Sequence, residues 1–109
     1  MNTDINMEQL QKDAVEIFNQ GFACSESLIY AIRKNFDLDM SDDAIAMSSG
    51  FPWGLGGGGC ICGALAGATM MIGYFFGRTT PGDPKINKCF ALTNELHDFF
   101  KEYCGATCC

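Results

Sequence analysis

Residues 54–76 read GLGGGGCICGALAGATMMIGYFF, a charge-free stretch in which a glycine loop runs straight into an apolar segment. Seven of the residues 54–67 are glycine, and each costs roughly 0.5–1 kcal/mol against alanine in a regular element. Something there must need the backbone to come close. From about Ile61 to Phe76 the residues are apolar or small throughout, so a helix over them has no polar face to turn to water. Gly63 and Gly67 lie one turn apart, as do Ala66 and Met70, and small residues at that spacing flatten one side for another backbone. The contact face would suit a membrane helix with a Gly-x-x-x-Gly motif or a buried central helix. Cys60 to Phe76 is at the bottom of the length range that spans a bilayer, and the helices on either side are amphipathic. The buried central position is the reading adopted, and no membrane span is expected.

Outward from this segment, helical periodicity continues in both directions. Asn6 is placed to cap a helix whose third residue, Gln9, reaches back, with Met7, Leu10, Ala14, Ile17 and Phe18 as its apolar stripe and Gly21 as its end. A second helix is expected from about Ala23 to Asn35, with Cys24, Leu28, Ala31 and Ile32 on one side and Arg33 and Lys34 favouring the dipole of its last turn. Cys24 thus falls at a helix start. Ser41, Asp42 and Asp43 read as the cap and acidic first turn of a short third helix that stops at Gly50. After the central helix, Asp83 caps and Pro84 opens a last helix that runs to about Cys104, burying Ile86, Cys89, Phe90, Leu96, Phe99, Phe100 and Tyr103, with Gly105 as its stop. No stretch alternates with period two. The expectation is one all-α domain over 1–109, a compact bundle of four to five helices around the glycine-rich central one.

The chain has 109 residues and a net charge of −6, with no run of basic side chains. Such a surface repels phosphate backbones, so nucleic acid is not an expected partner. MNTDINMEQLQKD lacks the basic start and apolar middle of a secretory signal, which makes the cytoplasm the expected location. Seven cysteines, an odd number, point in a reducing compartment to metal binding or thiol redox chemistry rather than structural staples. Three of them fall in the last six residues, CGATCC, which raises the expectation that the natural chain continues further.

The glycine run explains part of its own cost if it turns amide hydrogens toward one point, where the following helix already favours negative charge. Gly58, Gly59 and Gly63 are the candidate cofactor-facing positions, and the thiols of Cys60 and Cys62 stand at that junction, where thiolate character is favoured. The glycine pattern is not a phosphate-loop or dinucleotide fingerprint, since no strand precedes it and no Lys-Ser/Thr pair closes it. Zinc or an iron–sulfur cluster takes about four thiolate or imidazole donors, for which Cys24, Cys60, Cys62, Cys108 and Cys109 are the candidates. No Cys-x-x-Cys pair strengthens that reading. Cys89 is expected in the core, and His97 as a surface or packing residue.

Cys62-Gly63-Ala64-Leu65-Ala66-Gly67, preceded by the glycine loop and by GFACSES at residues 21–27, resembles the C-GCAxxG-C-C family, from about Phe18 to Cys109. In that resemblance Cys24 takes the place of the first family cysteine, Cys62 that of the motif cysteine, and Cys109 best matches the third, with Cys108 beside it. The family expects a fourth cysteine further on, and Cys60, Cys89 and Cys104 do not stand where the pattern asks. The resemblance implies redox activity without naming a substrate. The leading expectation is therefore a thiol protein in which Cys24 and Cys62 carry thiol/disulfide or electron transfer with a redox partner protein. The alternatives are a metal or iron–sulfur binding module without catalysis of its own and a helical accessory domain with incidental cysteines. The apolar surplus in FPWGLGG and GYFFG leaves room for a homodimer face.

Overall fold

The computed structural model describes residues 3–108. Its helices are α1 (Met7–Asn19), α2 (Cys24–Phe36), α3 (Asp42–Met47), α5 (Gly63–Phe76) and α6 (Ile86–Cys104), with a single turn, α4 (Pro52–Leu55), between α3 and the glycine loop. There is no strand among the described residues. The architecture is all-α, as the periodicity requires, and no helix among the described residues is long and apolar enough to cross a membrane.

Local chemistry fixes the boundaries. Asn6 Oδ1 accepts the Gln9 amide at 3.2 Å and Ser41 Oγ accepts that of Asp43 at 3.2 Å, each satisfying a donor that its helix leaves open. The Gln9 side chain does not reach back; its Nε2 donates to Asp13 Oδ1 at 2.9 Å. α2 starts without a polar cap residue. Instead Glu26 Oε1 reaches back to the Ala23 amide at 2.9 Å, while Glu26 Oε2 accepts from Ser49 Oγ at 2.8 Å and ties this start to the end of α3. α3 ends at Met47, short of Gly50, because Ser48 and Ser49 continue as a tighter turn. Asp83 Oδ1 accepts the Lys85 amide at 3.0 Å, but the first bonds of that turn skip three residues, and α6 begins at Ile86.

α5 is the central element. It packs against α2 on one side and α6 on the other, and α1 covers the far side of α2. Gly67 makes the α2–α5 crossing close: a Cβ there would stand 3.1 Å from the Cα and the carbonyl oxygen of Ser25. The core gathers Ile29, Ile45 and Met71 from three helices, with Tyr30, Ile32, Leu38, Met40, Met70 and Phe75 around them. Buried polar groups are paired. Ser25 Oγ donates to the Ser48 carbonyl at 2.9 Å, and Ser48 Oγ to that of Ile45 at 2.6 Å.

Two expectations are corrected here. On α1, Met7 and Phe18 are exposed, and the buried positions are Leu10 and Asp13. On α6 no residue is buried; Phe90 and Phe99 are each 63% exposed and Tyr103 81%, because α5 is the main packing neighbour of this helix and covers only part of its apolar side.

Asp13 is 3% exposed and sits between the Nδ2 of Asn35, at 2.9 Å from Oδ2, and the Nε2 of Gln9, with Lys34 Nζ 3.4 Å from Oδ1. The Asn35 and Gln9 hydrogen bonds, then Lys34, hold its carboxyl below the ordinary value of 3.8. A carboxylate with a depressed folded-state pKa stabilises above its unfolded value, and the contribution is lost as pH falls through the folded one. Wild type should therefore lose stability steeply below pH 3.8, and Asp13→Asn should flatten that limb of an acid titration followed by circular dichroism.

Candidate functional site

Gly54 decides the shape of the loop that precedes α5. Its φ is +70°, and a Cβ on it would overlap the amide nitrogen of Cys60 and the backbone of Gly59, so the chain closes on itself with no room for a side chain. Gly56, Gly57 and Gly59 also have positive φ. The amides of this loop are spent inside it: Gly56 donates to the Pro52 carbonyl, Gly58 to Leu55 and Gly59 to Trp53. The glycine run thus serves a tight reversal, and the amides of Gly58 and Gly59 face loop carbonyls. Trp53 and Leu55, at φ +60° and +59°, hold left-handed conformations that cost an L-residue roughly 1–2 kcal/mol each. Such strain is typical of sites where a side chain must be aimed. Here it leaves Trp53 71% exposed at the rim of a cleft.

That cleft, about 430 Å³, is lined by Phe18, Gly21, Phe22, Ala23, Cys24, Pro52, Trp53 and Cys62. Cys24 is the first residue of α2 and Cys62 is the N-cap of α5, so both thiols stand at helix starts. Each is half-buried and unbonded. Gly63, the residue after Cys62, leaves room for Cys24: a Cβ at that position would overlap Cys24 Sγ, which occupies the space instead. No ionised side chain lines the cleft, and apart from the two thiols its walls are hydrocarbon, aromatic ring and backbone.

The other cysteines are arranged differently. Cys60 and Cys108 form a disulfide that closes 48 residues of chain, and beside it the Cys62 amide donates to the Thr107 carbonyl at 2.9 Å. Cysteine spacing does not reveal such a connection. The expected ligand set and the family pattern each group the tail cysteines with those of the loop, and neither pairs Cys60 with Cys108. Cys109 lies outside the described residues. Cys89 is half-buried and Cys104 exposed, both on α6 and unbonded. His97 is exposed, with Nδ1 3.0 Å from Asp98 Oδ1.

A zinc or iron–sulfur centre needs about four thiolate or imidazole donors around one point. Among the described residues no group of three or more His, Cys, Asp or Glu side chains converges in that way. Cys60 and Cys108, expected as ligands, are bonded to each other, and a cystine offers no thiolate. The described residues bring no such donor set together. What they do fit is sulfur chemistry between two thiols on a shared apolar cleft, with a disulfide alongside.

A protein from Archaeoglobus fulgidus, named "Uncharacterized protein", is 31% identical over 61 residues, which cover 56% of this chain; the match spans 40% of that relative's length. No solved structure matches the chain. The family described as "Putative redox-active protein (C_GCAxxG_C_C)" matches residues 22–109, from the approach to Cys24 through the tail cysteines. The chain belongs to the C_GCAxxG_C_C family.

Proposed function

We propose that the protein carries thiol/disulfide redox chemistry at Cys24 and Cys62, transferring electron pairs to and from a redox partner protein. The observation that carries this reading is that two unbonded thiols, far apart in sequence and at the starts of different helices, line one apolar cleft, with Cys24 Sγ seated against Gly63, the residue after Cys62. Oxidation joins the two sulfurs and releases two electrons and two protons to the acceptor; reduction reverses it. The family description supports the redox character. The apolar walls suit a partner that inserts an uncharged segment, with Trp53 at the rim as the contact surface, since a large rigid ring anchors such contacts well. The proposed site of action is the cytoplasm, where glutathione and thioredoxin systems keep thiols reduced and can supply electron pairs.

The test is disulfide mapping after titration of anaerobic, reduced protein with limited diamide. A Cys24–Cys62 bond should form and be reversed by dithiothreitol, and Cys24→Ser and Cys62→Ser should each abolish it. Recovery of both residues as separate alkylated thiols after oxidation would remove the proposal.

A further inference from the structure

We infer that the Cys60–Cys108 disulfide is a second redox site, a shuttle that exchanges with a protein dithiol at the surface and passes the electron pair inward to Cys24 and Cys62. The inference rests on the redox reading of that inner pair. Three observations lead to it. First, Cys60 and Cys108 are both exposed, so a thiolate on another protein can reach their sulfurs, whereas Cys24 and Cys62 are recessed in the cleft. Second, the disulfide is anchored beside Cys62 from both directions: Cys60 is two residues before it, and Cys108 follows Thr107, whose carbonyl holds the Cys62 amide at 2.9 Å. Third, Cys24 Sγ fills the space over Gly63, next to Cys62. The four cysteines therefore grade from an exposed pair to a half-buried one, and both Cys24 and the disulfide are tied to the backbone at or beside Cys62.

The steps balance without any reactant beyond the partner dithiol. A partner thiolate attacks the Cys60–Cys108 bond, and its second thiol resolves the mixed disulfide; the partner leaves oxidised, and Cys60 and Cys108 hold the two electrons as thiols. The Cys108 thiolate then attacks Cys62 in an oxidised Cys24–Cys62 pair, forming a Cys62–Cys108 bond and releasing Cys24, which takes up a proton. Cys60 attacks Cys108 in turn, the Cys60–Cys108 disulfide is restored, and Cys62 leaves as the second thiol. Two electrons and two protons have moved from the partner to the inner pair, and every step is a thiol–disulfide exchange.

The experiment uses full-length protein oxidised to carry both bonds and follows loss of the Cys24–Cys62 bond by acid quenching, alkylation and peptide mapping. With reduced thioredoxin as a bulky dithiol probe, Cys108→Ser should slow that loss by about tenfold or more, because direct attack on the recessed bond is hindered. With a small phosphine as reductant, wild type and Cys108→Ser should react at similar rates. In Cys60→Ser protein, which has no Cys60 thiol to resolve the intermediate, the free Cys108 thiol should attack the oxidised inner pair, release Cys24 as a thiol and accumulate a Cys62–Cys108 disulfide, a readout independent of how the Cys108 variant folds. Equal thioredoxin rates in wild type and Cys108→Ser, or no Cys62–Cys108 bond in the oxidised Cys60→Ser protein, would overturn the shuttle and leave the inner pair intact. Failure of any oxidant to join Cys24 to Cys62 removes the inner pair and the shuttle together.

Discussion

Cutting the Cys60–Cys108 bond should lower the unfolding free energy by about 4 kcal/mol, the loop-closure entropy expected for cysteines separated by 48 positions. The unfolded chain gains most of this freedom, since the bond otherwise holds the end of the molecule to its glycine loop. For a domain of this size the melting temperature should drop by on the order of 15–30 °C under reducing conditions. The effect is large beside the roughly 5–15 kcal/mol that holds a typical domain together. It should also be uneven. α6 packs mainly against α5 and buries none of its residues completely, so once its tail is released its amides should exchange with solvent before those of α2 and α5. Chemical denaturation with and without dithiothreitol, together with Cys60→Ser, checks the magnitude. An unchanged midpoint on reduction would mean that the bond constrains nothing.

The second large effect is expected at Gly54. Alanine there meets two penalties at once: a φ of +70° that disfavours any Cβ, and overlap of that Cβ with the Gly59–Cys60 backbone, which has no flexible end to move away. Together these should cost about 3–5 kcal/mol. Gly57 provides the comparison. Its φ is +104°, yet nothing lies within 4 Å of a Cβ built on it, so Gly57→Ala should cost only the backbone strain, about 1–2 kcal/mol. Denaturant midpoints for the two variants should differ clearly. If both lose the same small amount, the loop is not closed as described.

Much of this architecture was legible in the residues because its signals are local. Asn6 and Ser41 mark helix starts through their side-chain oxygens, and the Gly63–Gly67 spacing announced a close backbone approach that Ser25 and Cys24 Sγ now occupy. The helix-start positions of Cys24 and Cys62 were legible for the same reason. What lay hidden depends on partners distant in sequence. The pattern of α6 states which side is apolar, and nothing in it states whether another helix will cover that side; Phe90, Phe99 and Tyr103 are open because none does. Asp13 occupies a polar position on α1 and yet is enclosed, since Asn35 and Lys34 from α2 meet it there. The pairing of Cys60 with Cys108 is of the same kind. Seven cysteines allow many connectivities, and only the return of the tail to the loop selects one.

Trp53 is the sole tryptophan of the chain, and it lines the cleft that also holds Cys24 and Cys62. Indole emission is quenched by sulfur at short range, and more strongly by a disulfide than by a thiol. Trp53 emission is thus a built-in optical gauge for the proposed Cys24–Cys62 bond, one that needs no attached dye.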